Sequence, residues 1–250
     1  MIALAPIPVY SQPDDRKGHE ITVAPSFAST YMFRGMRLGG TSFQPTVEYS
    51  KGPLTLGLFG NMPVSDRFSG DPVDPEIDIY ASYDWEVVPE VFTIRPGIAV
   101  YTYPNADKEE GFYKAQYEPY VCFAYTVHDM TLSLNLYYDL VLKGPTYEIE
   151  ADYAIPIKPF NFDIELSALI GKYDWSDYEA ETPSKIRAYG TYWQIGAAVP
   201  FEFSSRSKFI VGWYYAKGAN SYIQVKNEFK EPNLDAVGRG VFNVSYSRTF

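Results

Sequence analysis

The sequence predicts an all-β protein: a transmembrane, antiparallel, up-and-down β-barrel of about 12 strands with both termini on the periplasmic side. Three observations support this prediction. Segments of about ten residues alternate apolar and polar side chains, which is the two-residue period of a β-strand. The links between the segments alternate between short and long. The sequence contains no run of 18 apolar residues, the length typical of a transmembrane helix.

The end of the chain, Val241 to Phe250, shows the alternation clearly. Its apolar and polar faces are Phe242, Val244, Tyr246 and Phe250 against Asn243, Ser245, Ser247 and Thr249. A sheet can close without an edge only if such a final strand pairs with the first strand. We therefore expect this strand to close the barrel, and we expect the barrel-assembly machinery to recognise its aromatic end.

The alternating segments are distributed along the whole chain. Those of the first half are Ile21–Arg37, Thr41–Ser50, Pro53–Ser65, Pro75–Glu86, Val91–Tyr103 and Ala115–Val127. Those of the second half are Thr131–Val141, Thr146–Ile157, Phe162–Tyr173, Tyr189–Phe201, Lys208–Lys217 and Val241–Phe250. At a tilt of about 45°, a segment of about ten residues spans the apolar layer of an outer membrane.

Four prolines lie inside these segments: Pro25, Pro45, Pro96 and Pro119. Proline has no N–H for the ladder of a sheet and normally lies at an edge or a bulge. A closed barrel has no edge. We therefore expect bulges, or positions near a rim, at these prolines.

The composition argues against several classes of protein. A formal net charge of -10 disfavours binding to nucleic acid, whose phosphates require Lys and Arg. The single cysteine, Cys122, excludes a disulfide framework. The two histidines, His19 and His128, have no neighbouring nucleophile, so we expect neither an enzyme nor a cofactor. The carboxylates of residues 66–76 lack the spacing of a known Ca²⁺ loop, and we expect a solvated loop and no metal.

The chain divides into two parts. Residues 1–18 begin with a short apolar stretch without basic residues and continue as a polar stretch, which predicts a flexible N-terminal tail or the remnant of a signal peptide. Residues 19–250 are predicted to form a single β-barrel domain. We expect the barrel in a bacterial outer membrane, in contact with its lipids and lipopolysaccharide. The sequence leaves the oligomeric state open.

The stretch from Phe27 to Asp66 resembles a known family. It contains a Y-x-F-R-G block within Ser29–Gly35, a proline-led strand at Gln44–Val47 and a glycine-rich strand at Gly57–Asn61. This pattern is similar to the TorF-like porins, the Gcw_chp family of bacterial outer-membrane barrels. Phe59 stands where that family's pattern suggests Trp. The resemblance implies a porin-type barrel and no catalytic residues.

If the apolar face meets lipid, the alternate positions line the lumen. The charged candidates for the pore lining are Arg34, Glu48, Asp78, Arg95, Glu118, Asp139, Glu148, Glu150, Asp152, Asp163 and Glu165. The aromatic candidates are Tyr120, Tyr137, Tyr192 and Tyr214. Acids exceed bases in this set, and a negatively charged lumen concentrates cations.

Two readings of this interior remain open. In one, the protein is a narrow passive pore for cations or small neutral solutes, with Arg34 as a constriction charge. In the other, it is a non-conducting structural or adhesive barrel, alone or as part of a surface assembly, whose acids and tyrosines pack the interior. Arg34 would then belong to an ion-pair network that holds the wall.

Overall fold

The computed structural model describes residues 18–65, 74–106, 113–157, 162–177, 186–225 and 230–250. Its strands are β1 (His19–Ala28), β2 (Tyr31–Phe33), β3 (Met36–Gly39), β4 (Thr41–Lys51), β5 (Leu54–Ser65), β6 (Glu76–Tyr83), β7 (Trp85–Val88), β8 (Phe92–Thr102), β9 (Ala115–Val127), β10 (Met130–Asp139), β11 (Gly144–Ile157), β12 (Phe162–Trp175), β13 (Ile186–Ser204), β14 (Ser207–Val225), β15 (Lys230–Pro232) and β16 (Gly238–Thr249).

Twelve strands form one closed antiparallel barrel, as the sequence predicts. Around the wall they follow the order β1, β4, β5, β6, β8, β9, β10, β11, β12, β13, β14 and β16, and β16 pairs with β1. At this seam the N–H of Phe250 donates to the carbonyl of Ile21 over 2.9 Å. This hydrogen bond lies at one rim of the barrel. We call it the short-turn rim, because the two-residue turns at 52–53, 128–129 and 205–206 also lie there. The opposite rim is the long-link rim.

The outer face of the barrel is apolar. Its exposed side chains include Leu54, Leu56, Leu58, Ile79, Ile98, Leu132, Leu134, Ile149, Ile170, Ile195 and Phe242. Each has neighbours of the opposite parity on the inner face, where the polar side chains are buried. An exposed apolar band of this kind, closed around a barrel, is the lipid-contacting surface of a membrane barrel.

The first predicted segment, Ile21–Arg37, is wrong in its second half. The strand that belongs to the wall ends at Ala28, and β2 and β3 form a separate hairpin. Arg34 and Gly35 have positive φ angles of 46° and 74°, which reverse the chain in a two-residue turn. The alternation hides this turn, because Tyr31 and Phe33 continue the period of β1 while their strand has already left the wall.

Two further boundaries differ from the prediction. The segment Pro75–Glu86 is split at Asp84 into β6 and β7. The predicted link from Gly218 to Ala236 begins as strand, since β14 continues to Val225 and pairs with β15. Strands β13 and β14 are 19 residues long, and β14 continues past Lys217, its last pair with β16, to Val225.

The prolines are accommodated without the expected bulges. Pro25 of β1 pairs directly with Pro45 of β4, and this ladder keeps one register over its whole length. Each of these two prolines interrupts the pairing of its strand with the neighbour on the opposite side. The pairing of β1 with β16 is missing at residues 24 and 25, and that of β4 with β5 is missing at residues 44 and 45. Pro96 lies opposite the break between β6 and β7, and the pairing of β9 with β10 ends just before Pro119. Proline, which has no backbone N–H, is thus tolerated at positions where the hydrogen-bonded pairing with one neighbouring strand is interrupted.

In the part of the chain that the structure describes, no helix has the length and apolar character needed to cross a membrane. Two sequence predictions lie mostly outside the described residues: the flexible tail of residues 1–18, of which 1–17 are not described, and the charged loop of residues 66–76, of which 66–73 are not described. The first described strand, β1, begins at His19.

A charge on the outer band tests its contact with lipid. Ile149 is 59% exposed in the middle of β11, and Leu234 is 85% exposed near the long-link rim. Ile149→Arg should lower the free energy of unfolding by about 2–4 kcal/mol, since the charge enters the apolar layer. Leu234→Arg should change it by less than about 1 kcal/mol. Denaturant unfolding in lipid vesicles measures both. Equal effects of the two substitutions would contradict a lipid-contacting band.

Candidate functional site

The β2–β3 hairpin crosses the lumen near the long-link rim. It leaves the wall between β1 and β4, and its tip carries Arg34 to Glu118 on β9 and to Glu148 on β11, across the barrel. Gly35 at the tip lies against the wall so closely that a Cβ there would be 2.5 Å from the backbone nitrogen of Gly218. With its positive φ, this position suits glycine alone.

Apolar side chains fix the hairpin on three sides. Phe33 and Leu38 pack between two buried clusters, one around Tyr31 and Tyr101 and one around Met36. The remaining members are Phe59, Ala99, Tyr80 and Tyr103 in the first cluster, and Leu142, Tyr173, Trp175, Ala188, Tyr192, Tyr113 and Leu169 in the second. A third cluster joins the hairpin to the seam of the barrel and consists of Met32, Ala28, Ala216, Val241 and Tyr214. The hairpin therefore narrows the lumen at this level.

The guanidinium of Arg34 lies in a cage of carboxylates and aromatic rings. It donates two hydrogen bonds to the Glu118 carboxylate, Nη1 to Oε1 over 2.8 Å and Nη2 to Oε2 over 3.0 Å. The Cζ atom lies 5.0 Å from the ring centre of Tyr137 and 5.8 Å from that of Trp175. Nε lies 4.0 Å from the carboxylate of Glu148. We call these four wall residues the Arg34 cage.

The cage keeps Arg34 charged. Burial is the largest single influence and disfavours the guanidinium cation, but the surrounding groups together, Glu118 foremost, raise the pKa of Arg34 above its ordinary value. Glu118 is fully buried and also accepts a hydrogen bond of 2.6 Å from the hydroxyl of Tyr101. The forked bond and the stacked rings match what a planar guanidinium requires.

A repeated row across three strands positions Glu148. In this row Glu148 of β11 pairs with Gly171 of β12, which in turn pairs with Tyr192 of β13. The ring of Tyr192 lies over Gly171, so the Tyr192 hydroxyl reaches Glu148 and donates a hydrogen bond to it. A Cβ at Gly171 would be 2.2 Å from Cζ of Tyr192. The glycine thus makes room for a tyrosine that lies flat along the inner wall.

The same arrangement occurs twice more in the barrel. On β4, β5 and β6 the row is Glu48, Gly57 and Tyr80, with a hydrogen bond of 2.7 Å from Tyr80 to Glu48. On β6, β8 and β9 it is Ser82, Gly97 and Tyr120. The rings of these three tyrosines lie along the inner wall, each over a glycine of the neighbouring strand.

Four acids on neighbouring strands line the part of the lumen between the cage and the short-turn rim. They are Glu150 and Asp152 on β11, and Asp163 and Glu165 on β12. Among the described residues none of the four forms an ion pair. On β10, Ser133 and Thr131 lie opposite Glu150 and Asp152. On β12, Leu169 and Ser167 lie opposite the same two acids.

The structure brings five of the predicted lining residues together: Arg34, Glu118, Tyr137, Glu148 and Tyr192. It places the others apart, each with its own contacts. Glu48 and Tyr120 belong to the rows of acceptor, glycine and tyrosine, and Tyr214 packs at the seam. Asp78 is buried near Glu76, and Arg95 forms an ion pair with Asp84. Asp139 accepts hydrogen bonds from the backbone N–H groups of Val141 and Leu142. Glu150, Asp152, Asp163 and Glu165 form the acidic wall described above.

Sequence reasoning missed the partners that give this site its shape. The sequence pattern does not single out Trp175 or Gly171, although both face inward. The signal for the hairpin was the dipeptide Arg34-Gly35, which is suited to a tight turn. The sequence signal for the rows of acceptor, glycine and tyrosine is a glycine within an otherwise alternating strand. Such a glycine often marks a position that another side chain or backbone segment approaches closely.

The chain matches one family model over residues 13–236; the model is described as a bacterial protein of unknown function, Gcw_chp. No curated protein matches the chain.

Two solved structures with the same architecture are porins. The KdgM porin, in complex with disordered oligogalacturonate, is 12% identical, with a TM-score of 0.53 over 92% of this chain and 99% of KdgM. The NanC porin is 11% identical, with a TM-score of 0.54 over 91% of this chain and 98% of NanC. At this identity the likeness establishes the barrel fold.

The fit of tyrosine over glycine can be tested at Gly171. Gly171→Ala should lower the free energy of unfolding by about 1–3 kcal/mol, because the added Cβ pushes Tyr192 off the wall and away from Glu148. Gly212→Ala is the matched control, since its Cβ would meet Ala198 at an ordinary 3.5 Å. Denaturant unfolding in detergent compares them. If the two alanine variants were equally stable, the glycine would have no spatial role.

Proposed function

This chain belongs to the Gcw_chp family of bacterial proteins, and we propose that it is an outer-membrane channel, and more narrowly a passive pore for cations or small neutral solutes. The fold supports the channel: a closed barrel with an apolar outer band and a polar inner face, built like two porins. We propose a transport role without catalysis. The two histidines lie at the short-turn rim, outside the lumen.

The acidic wall is the observation that carries the cation preference. Glu150, Asp152, Asp163 and Glu165 stand on two neighbouring strands, and no described base forms an ion pair with them. Of the inward bases, Arg34 and Arg95 are already paired with carboxylates, and Lys208 lies near Glu165 without forming an ion pair among the described residues. Fixed negative charge in a narrow, water-filled space attracts cations and repels anions. This wall therefore favours cations over anions of the same size.

The hairpin supports a narrow pore. It crosses the lumen at one level and is packed on three sides, so a pore at this level would admit small solutes only. The KdgM porin is named with oligogalacturonate, which is a polyanion. The acids of β11 and β12 would repel such a ligand, and we do not extend it to this chain.

We place the short-turn rim, and with it both termini of the barrel, on the periplasmic side, as short turns lie there in outer-membrane barrels. The partners we propose are the outer-membrane lipids and lipopolysaccharide around the apolar band, and the barrel-assembly machinery at the carboxyl-terminal strand. Nucleic acid is not among them, given a net charge of -10.

The second candidate function is a non-conducting structural or adhesive barrel. The observation that favours it is the packing of the hairpin against three buried clusters. If this packing closes the lumen, the long β13–β14 extension at the long-link rim would be the surface available to partners.

Planar-bilayer recordings separate the two functions. A pore should give discrete single-channel steps that are cation-selective under a salt gradient. A complete absence of steps from folded, heat-modifiable protein would reject the pore and favour the structural barrel.

The selectivity depends on named acids. Glu150→Gln combined with Asp152→Asn should lower the cation-to-anion permeability ratio by a factor of roughly two to five, as a unit charge in water contributes about 1 kcal/mol at 4 Å and less farther away. Reversal potentials under a salt gradient measure this ratio. The control is Glu231→Gln, an exposed acid on β15 outside the lumen. A reversal potential that is the same in the double variant and the wild type would rule out the acidic wall as the selective element.

A further inference from the structure

The Arg34 cage is made by the wall alone. Its members Glu118, Tyr137, Glu148 and Trp175 come from β9, β10, β11 and β12, which are consecutive neighbours in the barrel. The hairpin contributes the guanidinium itself and the ring of Phe33, 4.6 Å from the Arg34 Cζ atom. A binding site of the wall is therefore filled by a group from another part of the chain.

The carboxylates of the cage are held in place by groups other than Arg34. Tyr101 donates to Glu118 over 2.6 Å, and Tyr192 donates to Glu148 from its position over Gly171. Neither tyrosine belongs to the hairpin. The two acceptors thus keep their positions when the guanidinium is removed, and such preorganisation lowers the cost of binding a ligand.

Arg34 fills the cage incompletely. Its two terminal nitrogens satisfy Glu118, but Nε has no hydrogen-bond partner among the described residues and remains 4.0 Å from Glu148. The position of Nε is set by the hairpin, whose tip is pressed against Gly218. A free cation is not tethered in this way and can adjust to both carboxylates.

We propose that the Arg34 cage is a binding site for guanidinium-type organic cations, and that Arg34 occupies it as a competitor from within the chain. The inference deepens the proposed function, because it names the class of cation that the lumen recognises. Two carboxylates provide charge and hydrogen-bond acceptors, and the rings of Tyr137 and Trp175 provide faces for a flat cation. A solute of this class displaces Arg34 and thereby releases the tip of the hairpin from the opposite wall.

The test uses n-propylguanidinium, which has the head group and the first carbons of an arginine side chain. The full chain is titrated in detergent, and tryptophan fluorescence is followed, since Trp175 lies in the cage. Arg34→Ala should bind the probe saturably. Wild type should bind at least about tenfold more weakly, because a tethered group competes at an effective concentration in the millimolar range. The neutral n-propylurea should not bind to either protein.

Two further variants localise the effect. Arg37→Ala removes a cation from the same hairpin but leaves the cage filled, so it should behave as wild type. Arg34→Ala combined with Glu118→Gln should lose saturable binding, because the forked acceptor is gone. If Arg34→Ala does not bind the probe, or if Arg37→Ala and n-propylurea produce the same response, the proposal is overturned.

A conservative variant covers the case in which Arg34→Ala does not fold. Arg34→Lys keeps the charge in the cage but cannot form the forked pair. It should bind n-propylguanidinium more tightly than wild type, and equal affinity would overturn the proposal. These titrations need no current, so they are independent of the channel. Binding without conductance would reject the pore alone, whereas conductance without binding would reject the cage alone.

Discussion

The ion pair of Arg34 with Glu118 determines how the interior of this barrel is organised. A guanidinium buried in the lumen must meet a carboxylate, and breaking such a pair by removing one partner typically costs about 3–5 kcal/mol. The pair therefore keeps the hairpin across the lumen. Side chains of the hairpin and of the wall pack around it near the long-link rim, while the acids of β11 and β12 line the part toward the short-turn rim.

The rows of acceptor, glycine and tyrosine explain how the inner face of the barrel accommodates its large tyrosine side chains. A tyrosine on one strand lies flat over a glycine on the next and donates to an acid or a serine on the third. The device appears on β4, β5 and β6 and again on β11, β12 and β13, where it orients Glu48 and Glu148. One of these acids belongs to the cage, so the stability of the wall and the geometry of the site depend on the same contact.

Charge is divided between the two parts of the lumen. Near the hairpin the acids are engaged, Glu118 by Arg34 and Glu76 by the hydroxyl of Tyr31 over 2.6 Å. Toward the short-turn rim the acids of β11 and β12 form no ion pair among the described residues. A cation entering from that side would meet the carboxyl groups of β11 and β12 first and the caged guanidinium second. This order connects the proposed selectivity with the proposed competition at the cage.

The sequence by itself determined the barrel. Side chains alternate along a strand, so residue parity alone assigned the lipid face and the lumen face, and it placed all the candidate acids on the inner side. The count of strands and the closing strand followed from the same period. Residue parity gives a wrong result at Tyr31 and Phe33. They continue the alternation of β1, but the chain has already left the wall and turned into the lumen.

Only the tertiary structure decided which inward residues meet. Arg34 and Glu118 are 84 residues apart, and their contact depends on a two-residue turn and on which strands face each other across the barrel. The prolines are tolerated for a similar reason, because the gap that accepts each one lies on a neighbouring strand. Alternation carries information about the face of a strand, and it carries none about the partner on the far side of a closed sheet.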